Sequence, residues 1–182
     1  MLEITSKTRT LGGRTVELIK QEYFRNSHQL SRIQSPLAAS EANDCMVRGV
    51  MFGLDCSYEQ AHQLVKTKLN RPDRKGTPME LLPKIFNITL NKKTIKYLGA
   101  HPAYLERKWW VDAAGYKTLL NPAYKKPTGY TLKSFMESHP KGRYILLVQG
   151  HCVAIVDGVL YGNKEEQYVG IYRSVWVAME CK

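Results

Sequence analysis

The chain has 182 residues, 43% of them hydrophobic and 24% charged, with a formal net charge of +11. That balance excludes a disordered chain, and the length suits one domain with a sizeable core and no disulfides. Cys45, Cys56, Cys152 and Cys181 show no CxxC pair and no metal-ligand spacing, and no stretch reaches the ~18 apolar residues of a membrane span. The N-terminus, Met1-Leu2-Glu3-Ile4, has no apolar run of signal-peptide length. A cytoplasmic protein with reduced thiols, and with no cofactor, metal or membrane contact, is therefore expected. The positive charge favours acidic partners such as nucleic acid, an acidic protein or anionic lipid, although lysines also serve plain solubility.

Residues 1–40 read as an extended arm. Val16, Leu18, Ile19, Tyr23 and Phe24 fit one helical face after Gly12-Gly13, while 27–40 is polar and aperiodic. From Asp44 the signals sharpen. Cys45, Met46, Val50, Met51, Phe52 and Leu54 predict a buried helix whose start is marked by Asn43-Asp44. Ser57 and Gln60 form a capping-box pattern for a second helix through Ala61, Leu64, Val65 and Leu69. A third begins at Thr77, with Pro78 in its first position and Glu80 in the box position. Ile88–Leu98 alternates like a strand, and Thr131–Ser138 reads as a short helix stopped by Pro140. Tyr144–Val148 and His151–Val156 are apolar runs typical of buried strands, Asp157-Gly158 predicts a hairpin into Val159–Tyr161, and Gln167–Met179 alternates again. Helices first and antiparallel strands afterward predict a single α+β domain over 1–182.

Cys45 falls one residue after a predicted helix cap, where unpaired N–H groups and the helix dipole favour a thiolate. A thiol nucleophile needs a base from elsewhere in the chain, and His151 opens an apolar strand after Gly150, at its mouth rather than in the core. Buried cysteines and strand-end histidines are also common as inert packing residues, so each alone is weak. Arg48, one turn after Cys45, suits either a substrate carboxylate or pairing with a neighbouring acid. Cys152 should point to the opposite face of the strand from His151 and pack there. His28, His62, His101 and His139 show no metal-binding arrangement.

The run Asn43-Asp44-Cys45-Met46-Val47-Arg48-Gly49, then Gly53-Leu54-Asp55-Cys56-Ser57-Tyr58-Glu59 and Lys75-Gly76-Thr77, resembles a family of small papain-like proteins of bacteria and their phages. A second block matches in the same order: Gly142 to Val148, then Gly150-His151-Cys152-Val153-Ala154-Ile155-Val156-Asp157-Gly158. The resemblance implies a papain-like fold, helices in the N-terminal half packed on a C-terminal antiparallel sheet, with Cys45 as nucleophile and His151 as base. A third residue should orient the imidazole. The family carries it on the strand after the hairpin, where Gly162 holds the expected carboxylate position. Asn163 is then the candidate and Asp157 the runner-up, although the turn already accounts for Asp157. Ala39 stands where papain-like enzymes often place an oxyanion-hole glutamine. Asn43 or Ser40 is the substitute expected beside the Cys45 N–H.

Residues 101–128 interrupt the pattern as a basic, aromatic insert. The wider segment 91–143 holds 11 Lys/Arg against three acids, interleaved with Trp109, Trp110 and several tyrosines. Basic residues track phosphates and exposed rings stack on bases, so single-stranded nucleic acid is a candidate partner. Two functions are therefore expected to compete. One is a thiol hydrolase of amide or isopeptide bonds acting on a protein or peptide, which the resemblance extends to a phage-encoded modifier of a host protein, with acyl transfer open as its outcome. The other is a catalytically silent binding protein that uses the insert to engage nucleic acid or an acidic protein.

Overall fold

Small polar residues at the helix starts and glycines or asparagines at the hairpins set the order of elements. The computed structural model describes residues 4–100, 109–111, 117–119, 130–167 and 173–182. Strands β1 (Thr5–Leu11) and β2 (Arg14–Ile19) pair antiparallel around Gly12-Gly13, whose φ of +54° and +78° suit a tight hairpin turn. After β3 (Phe24–Asn26), the Asn26 side chain caps α1 (Ser27–Gln34), and Ser35 caps α2 (Pro36–Ser40), which has proline in its first turn. The expected extended arm is thus a hairpin and two short helices. The hairpin uses alternation at Val16 and Leu18 that also fits a helical face, and the caps lie in the polar stretch that periodicity passes over.

Helix α3 (Cys45–Leu54) follows as expected, and α4 (Tyr58–Leu69) starts on a complete Ser57/Gln60 capping box. The helix expected at Thr77 is instead a 3-10 segment, Met79–Ile85, because Pro83 inside it has no N–H to continue an α-helix. The strand expected over Ile88–Leu98 is split into β4 (Thr89–Leu90) and β5 (Lys93–Ala100) by Asn91 and Lys92, both at positive φ. Within the insert, β6 (Trp109–Val111) and β7 (Lys117–Leu119) pair antiparallel; the rest of 101–128 lies outside the described residues. Helix α5 (Leu132–Ser138) is capped by Thr131.

The last strands are β8 (Arg143–Val148), β9 (His151–Val156), β10 (Val159–Gly162) and β11 (Val175–Cys181). A seven-stranded sheet runs in the order β3-β10-β9-β8-β11-β5-β4. It is α+β as expected, but mixed rather than antiparallel: β3 from the N-terminal region joins β10 in parallel. No described helix is long and apolar enough to cross a membrane.

A strand that is apolar at every position needs cover on both faces. Ile145 and Leu147 of β8 pack with Cys152 and Val177 against α3 and α4. Tyr144, Leu146 and Val148 turn the other way and pack with Phe135 and Met136 of α5, and with Ile4 and Ile19. Helix α3 lies directly on β8 and β9, and two glycines one turn apart allow this approach. A Cβ on Gly49 would come 2.5 Å from Cys152 Sγ, and one on Gly53 would come 2.5 Å from Ile145 Cγ1. Gly53→Ala should therefore lower unfolding free energy by about 1–3 kcal/mol in urea titration, because overpacking against a branched core side chain outweighs a helix-propensity gain of about 1 kcal/mol. Unchanged or raised stability would mean that α3 does not need this contact.

Candidate active site

The N-terminus of α3 is built to leave its N–H groups free. Asp44 occupies the cap position but makes no side-chain cap hydrogen bond. Its carboxylate turns inward instead, accepting from Arg48 Nε at 2.9 Å and from the Tyr58 hydroxyl at 2.8 Å. Burial alone would raise the Asp44 pKa, but Arg48 and Tyr58 hold it below the usual carboxylate range. Cys45, the first residue of the helix, is partly buried in a cleft of about 600 Å³, lined also by His28, Asn43, Arg48, His151 and Asn163.

His151, the first residue of β9, lines the same cleft as Cys45, and each of the two shifts the other's titration. Its ring is held by a residue that sequence reasoning did not single out. Glu166, in the 3-10 turn Lys164–Gln167, places Oε2 3.4 Å from His151 Nε2, with the two side chains 10% and 4% exposed. This ion-pair contact is longer than an ideal hydrogen bond, and Nε2 has no closer acceptor. With Nε2 turned to Glu166, Nδ1 is the nitrogen left for the thiol. Glu166 is anchored in turn by Arg173 Nη1 at 3.3 Å and by the Asn163 backbone N–H, while Arg173 also donates to the Gln149 carbonyl.

Neither expected orienter touches the imidazole. Asn163 Oδ1 accepts from Arg48 Nη1 at 2.8 Å, and Asp157 sits in the β9–β10 turn, accepting from the Gly142 N–H. The carboxylate nevertheless fills the space anticipated at position 162. A Cβ on Gly162 would lie 2.9 Å from Glu166 Oε2, so the missing side chain makes room for an acid folding back from four residues later. The adjacent pair Glu165-Glu166 was the available signal, but nothing in its periodicity marks either residue as buried.

The electrostatics suit a thiolate–imidazolium pair. Burial would raise the Cys45 pKa; the His151 hydrogen bond and charge, the Cys152 backbone N–H and Arg48 together bring it below its ordinary value. Burial would lower that of His151, yet Cys45 and Glu166 raise it to about 9. The other thiols go the opposite way. Desolvation pushes Cys56 up to about 11 and Cys181 to about 12, and it raises Cys152 strongly. Cys152 packs where the strand alternation puts it, 3.8 Å from Met46 Sδ under α3.

Of the expected oxyanion donors, Asn43 lines the cleft but turns Nδ2 to the Arg74 carbonyl at 3.3 Å, and Ser40 donates to Leu37 in its own helix. The Cys45 N–H and the uncapped first turn are the donors that remain. Away from the cleft, Glu41, His62 and Asp73 bring three potential metal-ligand atoms within 4.8 Å of one another. Arg71 already pairs with Glu41 at 2.7 Å and Lys66 with Asp73 at 2.8 Å, so both carboxylates are neutralised by protein cations. No protein-family model, curated protein or solved structure matches this chain.

Two measurements follow from this geometry. At pH 7 in the folded protein, iodoacetamide should label Cys45 well before Cys56, Cys152 or Cys181, as peptide mass spectrometry would show; equal labelling of all four would contradict an activated thiol. Glu166→Gln should move the His151 titration, followed by imidazole NMR, down from about 9 toward its ordinary value. No change would mean that the carboxylate does not act on the ring.

Proposed function

We propose that this protein is a papain-like thiol hydrolase, cleaving an amide or isopeptide bond through a thioester on Cys45. The observation that carries the reading is the line Cys45–His151–Glu166, set in a cleft at an uncapped helix N-terminus. It supplies each part that acyl transfer needs. The thiolate attacks the carbonyl carbon, and the oxygen that gains negative charge is met by the Cys45 N–H and the first turn of α3. His151, protonated by the exchange with Cys45, gives its proton to the leaving amine as the C–N bond breaks. Neutral imidazole then takes a proton from water, or from an acceptor amine, for attack on the thioester. Glu166 keeps the ring in place and stabilises its charged form through both halves of the cycle.

A polar cleft fits a protein or peptide substrate in an exposed segment. The resemblance to phage-encoded papain-like proteins makes a host protein one candidate.

The pH dependence is set by the pair. The thiolate–imidazolium form exists between the lowered Cys45 value and the His151 value of about 9. Hydrolysis of a fluorogenic peptidyl-amide library should therefore be sustained around neutrality and decline above pH about 9, as the imidazolium loses the proton it must donate. Cys45→Ala should reduce the rate by about 10³-fold or more, and Glu166→Gln by on the order of 10²-fold, with the fold retained. Activity that survives Cys45→Ala would sink the proposal.

A further inference from the structure

Arg48 is more than the partner of Asp44. A guanidinium carries five N–H donors in a rigid fork. Here Nε donates to Asp44 Oδ1 at 2.9 Å, and Nη1 donates to Ser27 Oγ at 2.7 Å and to Asn163 Oδ1 at 2.8 Å. Nη2 donates to nothing among the described residues, and it is not among the polar atoms sealed from solvent without a partner. The side chain is only 5% exposed, yet Arg48 lines the cleft. The guanidinium is thus locked on two sides with its remaining N–H groups open to the site.

Its position follows from helix geometry. Side chains lean toward the N-terminus of their helix, and residues three apart share a face. The group therefore lies beside the first turn of α3 and next to Cys45, and its charge helps to lower the thiol pKa. The other charges around the cleft balance. Asp44 is committed to Arg48 and Tyr58. His28 is biased toward its neutral form by burial, Arg32 and Arg48, and the exposed rim carries one Lys164 and one Glu165.

We propose that Arg48 Nη2, beside the first turn of α3, forms an anion subsite, and that the substrate carries a carboxylate close to its scissile carbonyl. An aspartyl, glutamyl or chain-terminal residue presents one at that spacing. The proposal rests on the thiol-hydrolase reading. A bidentate Arg–carboxylate contact in the cleft selects such substrates over neutral isosteres, which satisfy the open guanidinium donor less well.

Two reagents that differ only in charge test it. Iodoacetate and iodoacetamide both alkylate a thiolate at their methylene carbon and release iodide, and an ordinary thiolate repels the anionic one. Cys45 should react faster with iodoacetate than with iodoacetamide, and with saturation. Succinate, but not succinamide, should protect it from iodoacetamide. Arg48→Lys should cut the iodoacetate/iodoacetamide rate ratio by roughly tenfold, since a lysine keeps the charge but loses the locked fork. Thermal melting reports whether that variant folds. Asn163→Ala, which frees one anchor and keeps the Asp44 pair, should lower the same ratio and carries the test if Arg48→Lys unfolds. Fast reaction without preference for iodoacetate, or a preference unchanged in the folded variants, overturns the subsite alone. Slow reaction with both reagents overturns the nucleophile, and the subsite with it.

Discussion

The buried pair of Asp44 and Arg48 is the contact on which the rest of the site depends. Asp44 starts α3 and accepts from Tyr58 at the start of α4; Arg48 binds Ser27 at the start of α1 and Asn163 just after β10. Ser27 in turn donates to the Gly162 carbonyl. Three helix starts and the end of one strand therefore meet on a single guanidinium–carboxylate pair. Taking two charges out of water is costly, and removing either partner of such a pair typically destabilises by about 3–5 kcal/mol. Because the folded Asp44 pKa is depressed, its contribution is present above the unfolded carboxyl value and is lost as pH falls through the folded one. Acid should thus loosen the site where its helices converge.

The same logic extends across the cleft as a chain of alternating charge: the Cys45 thiolate, the His151 imidazolium, the Glu166 carboxylate and the Arg173 guanidinium. Each charge has an opposite neighbour, so none is stranded in a low-dielectric interior. Gly162 is the permissive element. By carrying no Cβ, it lets an acid from a short 3-10 turn occupy a place that a strand residue would otherwise fill. The backbone N–H of Asn163 holds that acid, while the Asn163 side chain holds Arg48. One residue thereby joins the network that fixes the helix bearing Cys45 to the network that fixes His151.

Much of this was legible in the residues. The caps of α3 and α4, the buried strands β8 and β9, and the hairpin at Asp157-Gly158 are local signals that name their own structures, and Arg48 pairs with an acid one turn away, as helix spacing suggests. Glu166 was not legible, since its burial depends on a vacancy at position 162 and on Arg173, neither of which has a periodic signature. The N-terminal hairpin is hidden for a related reason: the alternation of β2 after Gly12-Gly13 competes with a helical reading of the same apolar positions. The parallel pairing of β3 with β10 joins Phe24–Asn26 to Leu160–Gly162, a contact of high sequence separation that no local pattern encodes.

Burial of so many charges bears on whether the site is chemical or merely structural. Replacing a buried ion pair by packed apolar residues of similar volume is often neutral, or stabilising by about 1–4 kcal/mol, so a silent scaffold gains no stability from keeping them. The unused capacity also lies on the cleft side: α3 lacks a side-chain cap at its first turn, and Arg48 keeps Nη2 free there. At its other end the helix is closed, with Arg143 donating to the Phe52 carbonyl at 2.6 Å and Asp55 in the left-handed region. A helix tied off at one end and left electrostatically open at the other favours negative charge on the thiol at its open end. On the proposed reading, the tetrahedral oxyanion of acyl transfer would draw on the same open turn, and a substrate carboxylate on Arg48.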